Sequence, residues 1–196
     1  MLRRVQPQLQ AAKAAFRAQV RLALSRLPAD ARLAASRQLV ARLCDQPCWA
    51  TARRVLLFAP LADEPDIWPL VDQALLAGKT VALPKFAAAS GEYVAAVVQD
   101  RARDLRPGRF GILEPLESQP RLPLGELDLV LVPGVAFDPR GRRLGRGKGY
   151  YDRLLPQARG IKCGVAFDLQ IVPELPAGPR DSKVDYVLTP TRWLTC

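Results

Sequence analysis

The chain has 196 residues, 49% hydrophobic and 24% charged, which fits one folded domain spanning 1–196 and argues against extensive disorder. A formal charge of +10 favours anionic partners such as nucleotides, polyglutamylated small molecules, nucleic acid or headgroups. No histidine is present, which excludes a Ser-His or Cys-His catalytic pair, and no RNA-binding aromatic signature or zinc-finger pattern accompanies the charge.

Met1-Leu2-Arg3-Arg4 is basic but lacks the following apolar stretch of a signal peptide. The longest apolar runs are strand-length, so no membrane span is expected. Residues near 7–26 read as an amphipathic helix, with Ala12, Phe16, Val20, Ala23 and Leu27 on one face. Lys13, Arg17 and Arg21 recur at four-residue spacing on another face. That stripe is either an ordinary solvated face or one that gains stability when an anion binds. After Pro28, a second helix is expected to about Asp45. Cys44 and Cys48 have no second pair of like spacing, since Cys163 and Cys196 do not provide one. Reduced thiols in a cytoplasmic protein are therefore expected rather than a zinc site.

Val55 to Ala59 reads as a buried strand. It runs into Leu61-Ala62-Asp63-Glu64-Pro65-Asp66-Ile67, an acidic turn at a strand end, where open α/β sheets gather ligands. The same acids would also suit a helix N-terminus. A helix from Trp68 to Ala77, a strand at Thr80–Leu83 and a further strand at Tyr93–Val98 follow. Residues 101–126 are rich in Pro, Gly and charge and read as irregular; Arg109-Phe110-Gly111-Ile112-Leu113-Glu114-Pro115 is a possible lid or binding loop within them. Leu127 to Val132 reads as a fully buried strand. A helix from about Tyr151 to Ala158, a strand at Lys162–Phe167 and a last short strand at Tyr186–Leu188 complete the pattern. Alternating helices and buried strands predict a three-layer α/β/α sandwich with a mostly parallel central sheet.

Between the Leu127 strand and the last helix lies Arg143-Leu144-Gly145-Arg146-Gly147-Lys148-Gly149-Tyr150-Tyr151-Asp152. Spaced glycines let backbone N–H groups approach a phosphate, and three cations add charge. A Walker A loop needs Ser or Thr where Gly149 stands; a dinucleotide fingerprint needs Gly where Tyr150 stands. A carboxylate beside a phosphate repels it unless a divalent cation intervenes, so Asp152 points to magnesium. The alternative is a flexible basic surface loop.

This stretch resembles the signature of the 5-formyltetrahydrofolate cyclo-ligase family, and three further places fit. Lys13 and Arg17 resemble the family's N-terminal Lys-x-x-x-Arg, whose cations meet ATP phosphates. The turn from Leu61 resembles its folate-contacting segment, with Glu64 or Asp66 supplying the carboxylate; Ile67 stands where the family usually has Thr. Asp181-Ser182-Lys183-Val184-Asp185 resembles its late Asp-x-x-Val-Asp segment. The resemblance implies ATP-driven cyclisation of 5-formyltetrahydrofolate to 5,10-methenyltetrahydrofolate in the cytoplasm. It implies that Lys13, Arg17 and the loop Arg143, Leu144, Gly145, Arg146, Gly147, Lys148, Gly149, Tyr150 and Tyr151 bind ATP. Lys148, Arg146 and Tyr150 become the catalytic candidates; Leu61, Glu64, Asp66 and Tyr150 the folate contacts; Asp152 and Asp181 the Mg2+ ligands. A monomer without membrane or nucleic-acid partners is expected. The alternatives are a polyanion- or RNA-binding module without turnover, or another ATP-dependent kinase or ligase on the same scaffold.

Overall fold

The computed structural model describes residues 2–88, 90–108, 111–179 and 181–196. Arg109 and Phe110, which open the expected binding loop, lie outside the described residues, as does Met1. Helices α1 (Leu2–Ser25), α2 (Ala29–Cys44) and α3 (Pro47–Thr51) lead to β1 (Arg54–Leu56), α4 (Trp68–Leu76), β2 (Thr80–Ala87) and β3 (Glu92–Val98). Then come α5 (Arg101–Asp104), β4 (Leu105–Pro107), β5 (Leu113–Pro115), β6 (Arg121–Leu122) and β7 (Leu129–Pro133). The chain ends with β8 (Ala136–Phe137), β9 (Arg143–Leu144), α6 (Tyr150–Leu154), β10 (Ile161–Val165), β11 (Tyr186–Leu188) and β12 (Trp193–Thr195).

Eight strands form one sheet in the order β12-β11-β10-β7-β1-β2-β3-β6. The five from β11 to β2 are parallel; β12 pairs antiparallel with β11 at one edge, and at the other β3 pairs antiparallel with both β2 and β6. Side chains alternate between the two faces, as the pleat requires. Val55, Val81, Leu129 and Leu131 pack with Leu39, Leu43, Leu70 and Val71 of α2 and α4. Leu56, Ala82, Val130 and Val132 pack on the other side with Leu154, Leu155 and Ala158. Helices therefore cover both faces, and the expected α/β/α layering holds. A third cluster sets Val20 and Leu24 of α1 against Ala136, Leu144 and Phe167, which seats α1 over the loops that follow β7 and β10.

Three of the differences from the sequence expectation concern the sheet and the stretch that follows β3. Strand β2 continues through Pro84 to Ala87. Ala82 O accepts from Leu57 N–H, so the side of β2 to which Pro84 would have donated faces β1, beyond that strand's end; the missing donor costs no ladder bond. The described residues of 101–126 are not simply irregular: they include the paired strands β4 and β5 and the edge strand β6. Asp104 Oδ2 accepts from Gln99 N–H (2.8 Å) and Asp100 N–H (2.9 Å), and Val97 N–H donates to Pro120 O at 2.9 Å, tying the stretch to β3. The third difference is β12, absent from the sequence reading, where Trp193 stacks on Tyr186 at 4.9 Å.

Asp104 also yields a pH prediction. The Arg103 guanidinium, followed by those two N–H groups, holds its carboxyl down from 3.8 to about 2 against the opposing effect of burial. Folding thus favours the ionised form, and this stabilisation is present above the unfolded value and lost as pH falls towards about 2. Urea midpoints for the wild type should fall over that window, and Asp104→Asn should show a shallower fall; equal slopes would contradict the assignment.

Strand order reverses between β7 and β1. Ligands of open α/β sheets bind outside the carboxyl ends of strands at such a switch point. The acidic turn follows β1 and the glycine loop follows β7, and these strands pair directly, Leu56 opposite Val130. Two segments far apart in sequence therefore leave the sheet side by side.

Candidate active site

A cavity of about 520 Å³ opens at this point. The glycine loop forms one wall, α1 contributes Lys13 and Arg17, the β1 loop contributes Leu61 and Glu64, and the late segment contributes Asp181. Within the loop, Gly147 (φ 98°) and Gly149 (φ 66°) adopt left-handed backbone that other residues resist. The expected helix from Tyr151 to Ala158 is shorter: α6 ends at Leu154 and a 3-10 turn, Leu155–Gln157, replaces its second half. Pro156, which cannot donate to a continuing helix, sits in that turn. A helix this short contributes little dipole, so charge at the loop rests on side chains and N–H groups.

Most of the expected cations are already engaged. Arg17 Nε donates to Gly145 O at 2.8 Å, tying α1 to the loop. Burial, then the neighbouring Arg21, lowers the Arg17 guanidinium from its ordinary value. Lys13, only 7% exposed, pairs with Asp181 at 2.5 Å. Arg143 is buried; its Nη2 donates to Asp152 Oδ1 at 3.0 Å and its Nη1 to Pro133 O at 3.3 Å. Arg146 crosses to the acidic turn, meeting Asp63 at 2.5 Å and Glu64 at 3.1 Å. Arg143, expected at phosphates, thus ties the start of the loop to its end, and Arg146, also expected there, holds the acidic turn against the loop. Lys148 lines the cavity.

The expected metal carboxylates line the same cavity. Asp152 Oδ1 lies 3.4 Å from the backbone N–H of Ser182, the residue after Asp181, and Ser182 Oγ donates to Asp152 O at 3.3 Å. Asp181 Oδ2 accepts from Gly178 N–H at 2.6 Å. Among the described residues no cluster of three or more Asp, Glu, Cys or His forms a metal cage. Two carboxylates in one cavity suit Mg2+, which takes one or two protein carboxylates and completes its shell with phosphate and water oxygens.

On the side of the acidic turn, Glu64 is 8% exposed and lines the cavity. Burial raises its carboxyl; the Leu61 N–H (3.0 Å) and Arg146 act against that rise. Asp66 does not line the cavity: its Oδ1 accepts from Trp68 N–H at 3.0 Å and serves the start of α4. Tyr150 joins an aromatic group, 4.5 Å from the Tyr93 ring and 6.5 Å from Phe86. Tyr151 is partly exposed as a residue, but its buried hydroxyl is pushed well above the ordinary phenol value, and its ring lies under Arg143. Leu144 packs under the loop against Val20 and Leu24.

Sequence reading missed Gln10, Phe58, Pro84 and Tyr93 as lining residues. Gln10 lies one helical turn before Lys13, so spacing alone offered that signal. Arg32 and Ser36 of α2 were also missed. Arg32 donates to Leu24 O and Leu27 O beyond the last turn of α1 and to Ala62 O in the acidic turn. Ser36 Oγ accepts from Asp66 N–H at 3.0 Å. Arg32 therefore ties the end of the helix carrying Lys13 to the turn carrying Glu64. Arg32→Ala should raise KM for the substrate that meets the acidic turn about tenfold by loosening that turn. Unchanged kinetics in a folded variant would remove Arg32 from the site's framework.

A mostly parallel sheet with a basic glycine loop and paired carboxylates at its switch point defines a phosphate-handling α/β enzyme. The sequence model of the 5-formyltetrahydrofolate cyclo-ligase family matches residues 9–190. A mouse 5-formyltetrahydrofolate cyclo-ligase is 31% identical over 188 residues, covering 90% of this chain and 93% of the mouse protein. The Escherichia coli K12 enzyme of that name is 35% identical over 159 residues, covering 79% and 87%. The NMR structure of Aquifex aeolicus 5,10-methenyltetrahydrofolate synthetase superposes with a TM-score of 0.84 at 35% identity, covering 93% and 92%. The chain belongs to the 5-formyltetrahydrofolate cyclo-ligase family, and it is a ligase of folate and one-carbon metabolism. Family membership implies use of ATP. Among the described residues no helix is long and apolar enough to cross a membrane.

Proposed function

We propose that Mg2+-bound ATP and 5-formyltetrahydrofolate meet in this cavity, with the triphosphate along the glycine loop and the folate between Tyr150 and the acidic turn. The carrying observation is that Lys13, Lys148, Asp152 and Asp181, drawn from three distant segments, line one cavity. Lys148 and the N–H groups of the Gly145–Gly149 loop neutralise and align the γ-phosphate. Lys13 and Arg17 approach from α1. Asp152 and Asp181 hold the metal, which when bound screens phosphate charge and orients the phosphate oxygens.

A formyl oxygen is a poor leaving group. It attacks the γ-phosphorus and ADP departs, leaving a phosphorylated iminium carbon. The neighbouring N10 attacks that carbon; the carbon–oxygen bond breaks, phosphate leaves with the former formyl oxygen, and N10 loses its proton. Phosphoryl transfer needs alignment and charge neutralisation more than an acid–base pair, which suits a chain without histidine. Glu64 holds the folate heterocycle, and Tyr150 packs on its formyl side. Asp66, outside the lining, supports α4 instead.

The whole chain acts as one domain in this reading, supported by core clusters on both faces of a common sheet. Four free cysteines suit a reducing compartment such as the cytoplasm. Mixing protein, Mg2+, ATP and 5-formyltetrahydrofolate should produce the near-ultraviolet absorbance of the methenyl product, with ADP and phosphate in equal amounts. Product formation that does not need Mg2+ would overturn the metal assignment, and product formation without ATP would overturn the scheme.

A further inference from the structure

Glu114 is a buried carboxylate with no part in the scheme above. It is 8% exposed and lines the cavity shared by Tyr150 and Glu64. It stands on β5, opposite Arg106 of β4. The hairpin closes through Gly108 N–H to Ile112 O at 2.7 Å. A Cβ on residue 108 would fall 2.7 Å from Glu114 Cγ and Cδ, so the hairpin backbone clasps the glutamate's stem. Glu114 Oε2 accepts from Phe86 N–H at 3.1 Å. The hydroxyl of Tyr93 is 3.5 Å from Oε1, long for an O–H···O bond. Among the described residues no Lys or Arg lies within ion-pair distance of it.

A carboxylate buried in this way is costly unless donors satisfy it. The neighbouring wall is aromatic: Phe86 is 5.6 Å from Tyr93, and Tyr93 is 4.5 Å from Tyr150. An aromatic wall, its rings tilted by 59–60° to one another, with an anionic acceptor beside it suits a planar heterocycle carrying N–H groups on its rim. A triphosphate is unsuited to it, because like charges repel. We infer that Glu114 accepts a hydrogen bond from an N–H of the folate substrate's heterocycle and helps to select that substrate. The inference rests on the proposed placement of folate beside Tyr150 and the acidic turn.

The test measures dissociation constants for 5-formyltetrahydrofolate and for ATP separately, by calorimetry, on the full chain. Glu114→Leu should weaken folate binding by about ten- to a hundredfold and leave ATP binding unchanged, as loss of a hydrogen bond to a charged group requires. Glu114→Gln, which keeps an acceptor, should recover part of the loss. Unchanged folate affinity in Glu114→Leu overturns the inference, as does a loss confined to ATP or shared equally by both ligands. If Glu114→Leu does not fold, Glu114→Gln decides alone: folate binding about threefold weaker or more supports the inference, and no change overturns it. Glu64→Gln separates the two layers of the argument. If it weakens folate binding while the Glu114 variants do not, only the Glu114 inference fails; if neither does, the folate placement fails.

Discussion

Asp152→Asn is expected to lower kcat by about a hundred- to a thousandfold, the range for removing one preorganised electrostatic group from a transition state. The carboxamide keeps an acceptor for Arg143 Nη2 and for the Ser182 N–H, so the local geometry should persist. What disappears is the negative charge that the proposal places beside the metal. Arg143 is then left buried with less compensation, because its side chain is 4% exposed while that of Asp152 is 25% exposed. A fall in Tm of about 2–8 °C should accompany the kinetic loss, as for about 1–2 kcal/mol in a chain of this size. Steady-state kinetics at saturating Mg2+ and a thermal melt check both parts. Wild-type turnover in a folded Asp152→Asn protein would remove Asp152 from the metal site.

Lys148→Ala is the second large effect. The lysine sits between Gly147 and Gly149, whose left-handed backbone fixes the turn, and its carbonyl accepts a long bond from Arg153 Nη1 at 3.5 Å. Loss of a cation at a transferring phosphoryl group should lower kcat/KM for ATP by about a thousandfold or more. The KM for folate should barely move, since the aromatic group and Glu64 are untouched. Lys148→Arg should restore only part of the loss: it keeps the charge but replaces a compact ammonium with a planar fork. Equal ATP kinetics in wild type and Lys148→Ala would count against the loop's proposed role.

The layer architecture was legible because period-two burial and apolar strands are local signals. Val55, Leu129 and Leu131 read as core from sequence and pack as core. The stretch 109–115 reads as a possible lid or binding loop, and Ile112, Leu113 and Glu114 do line the cavity, but the β4–β5 pairing that carries Glu114 was not legible because it leaves no periodic trace. The glycine loop reads as a phosphate site from spacing and charge, and its residues line the cavity. The ion pairs within it were not legible. Arg143 and Arg146 carry charges of the right sign for phosphate, yet they meet Asp152, Asp63 and Glu64. Which acid of the turn lines the cavity depended on Trp68 N–H engaging Asp66 and on burial of Glu64, both tertiary facts. The β1–β7 pairing that brings turn and loop together likewise emerges only from the sheet order.

The most direct measurement is a titration of ATP binding with and without Mg2+, on wild type and on an Asp152→Asn/Asp181→Asn double variant. In the wild type, Mg2+ should strengthen ATP binding by about tenfold or more, because it relieves repulsion between two carboxylates and a triphosphate. In the double variant that gain should vanish, and ATP without metal should bind at least as well as it does to wild type. An undiminished Mg2+ effect in the double variant would contradict the convergence of Asp152 and Asp181 on one metal-bound nucleotide.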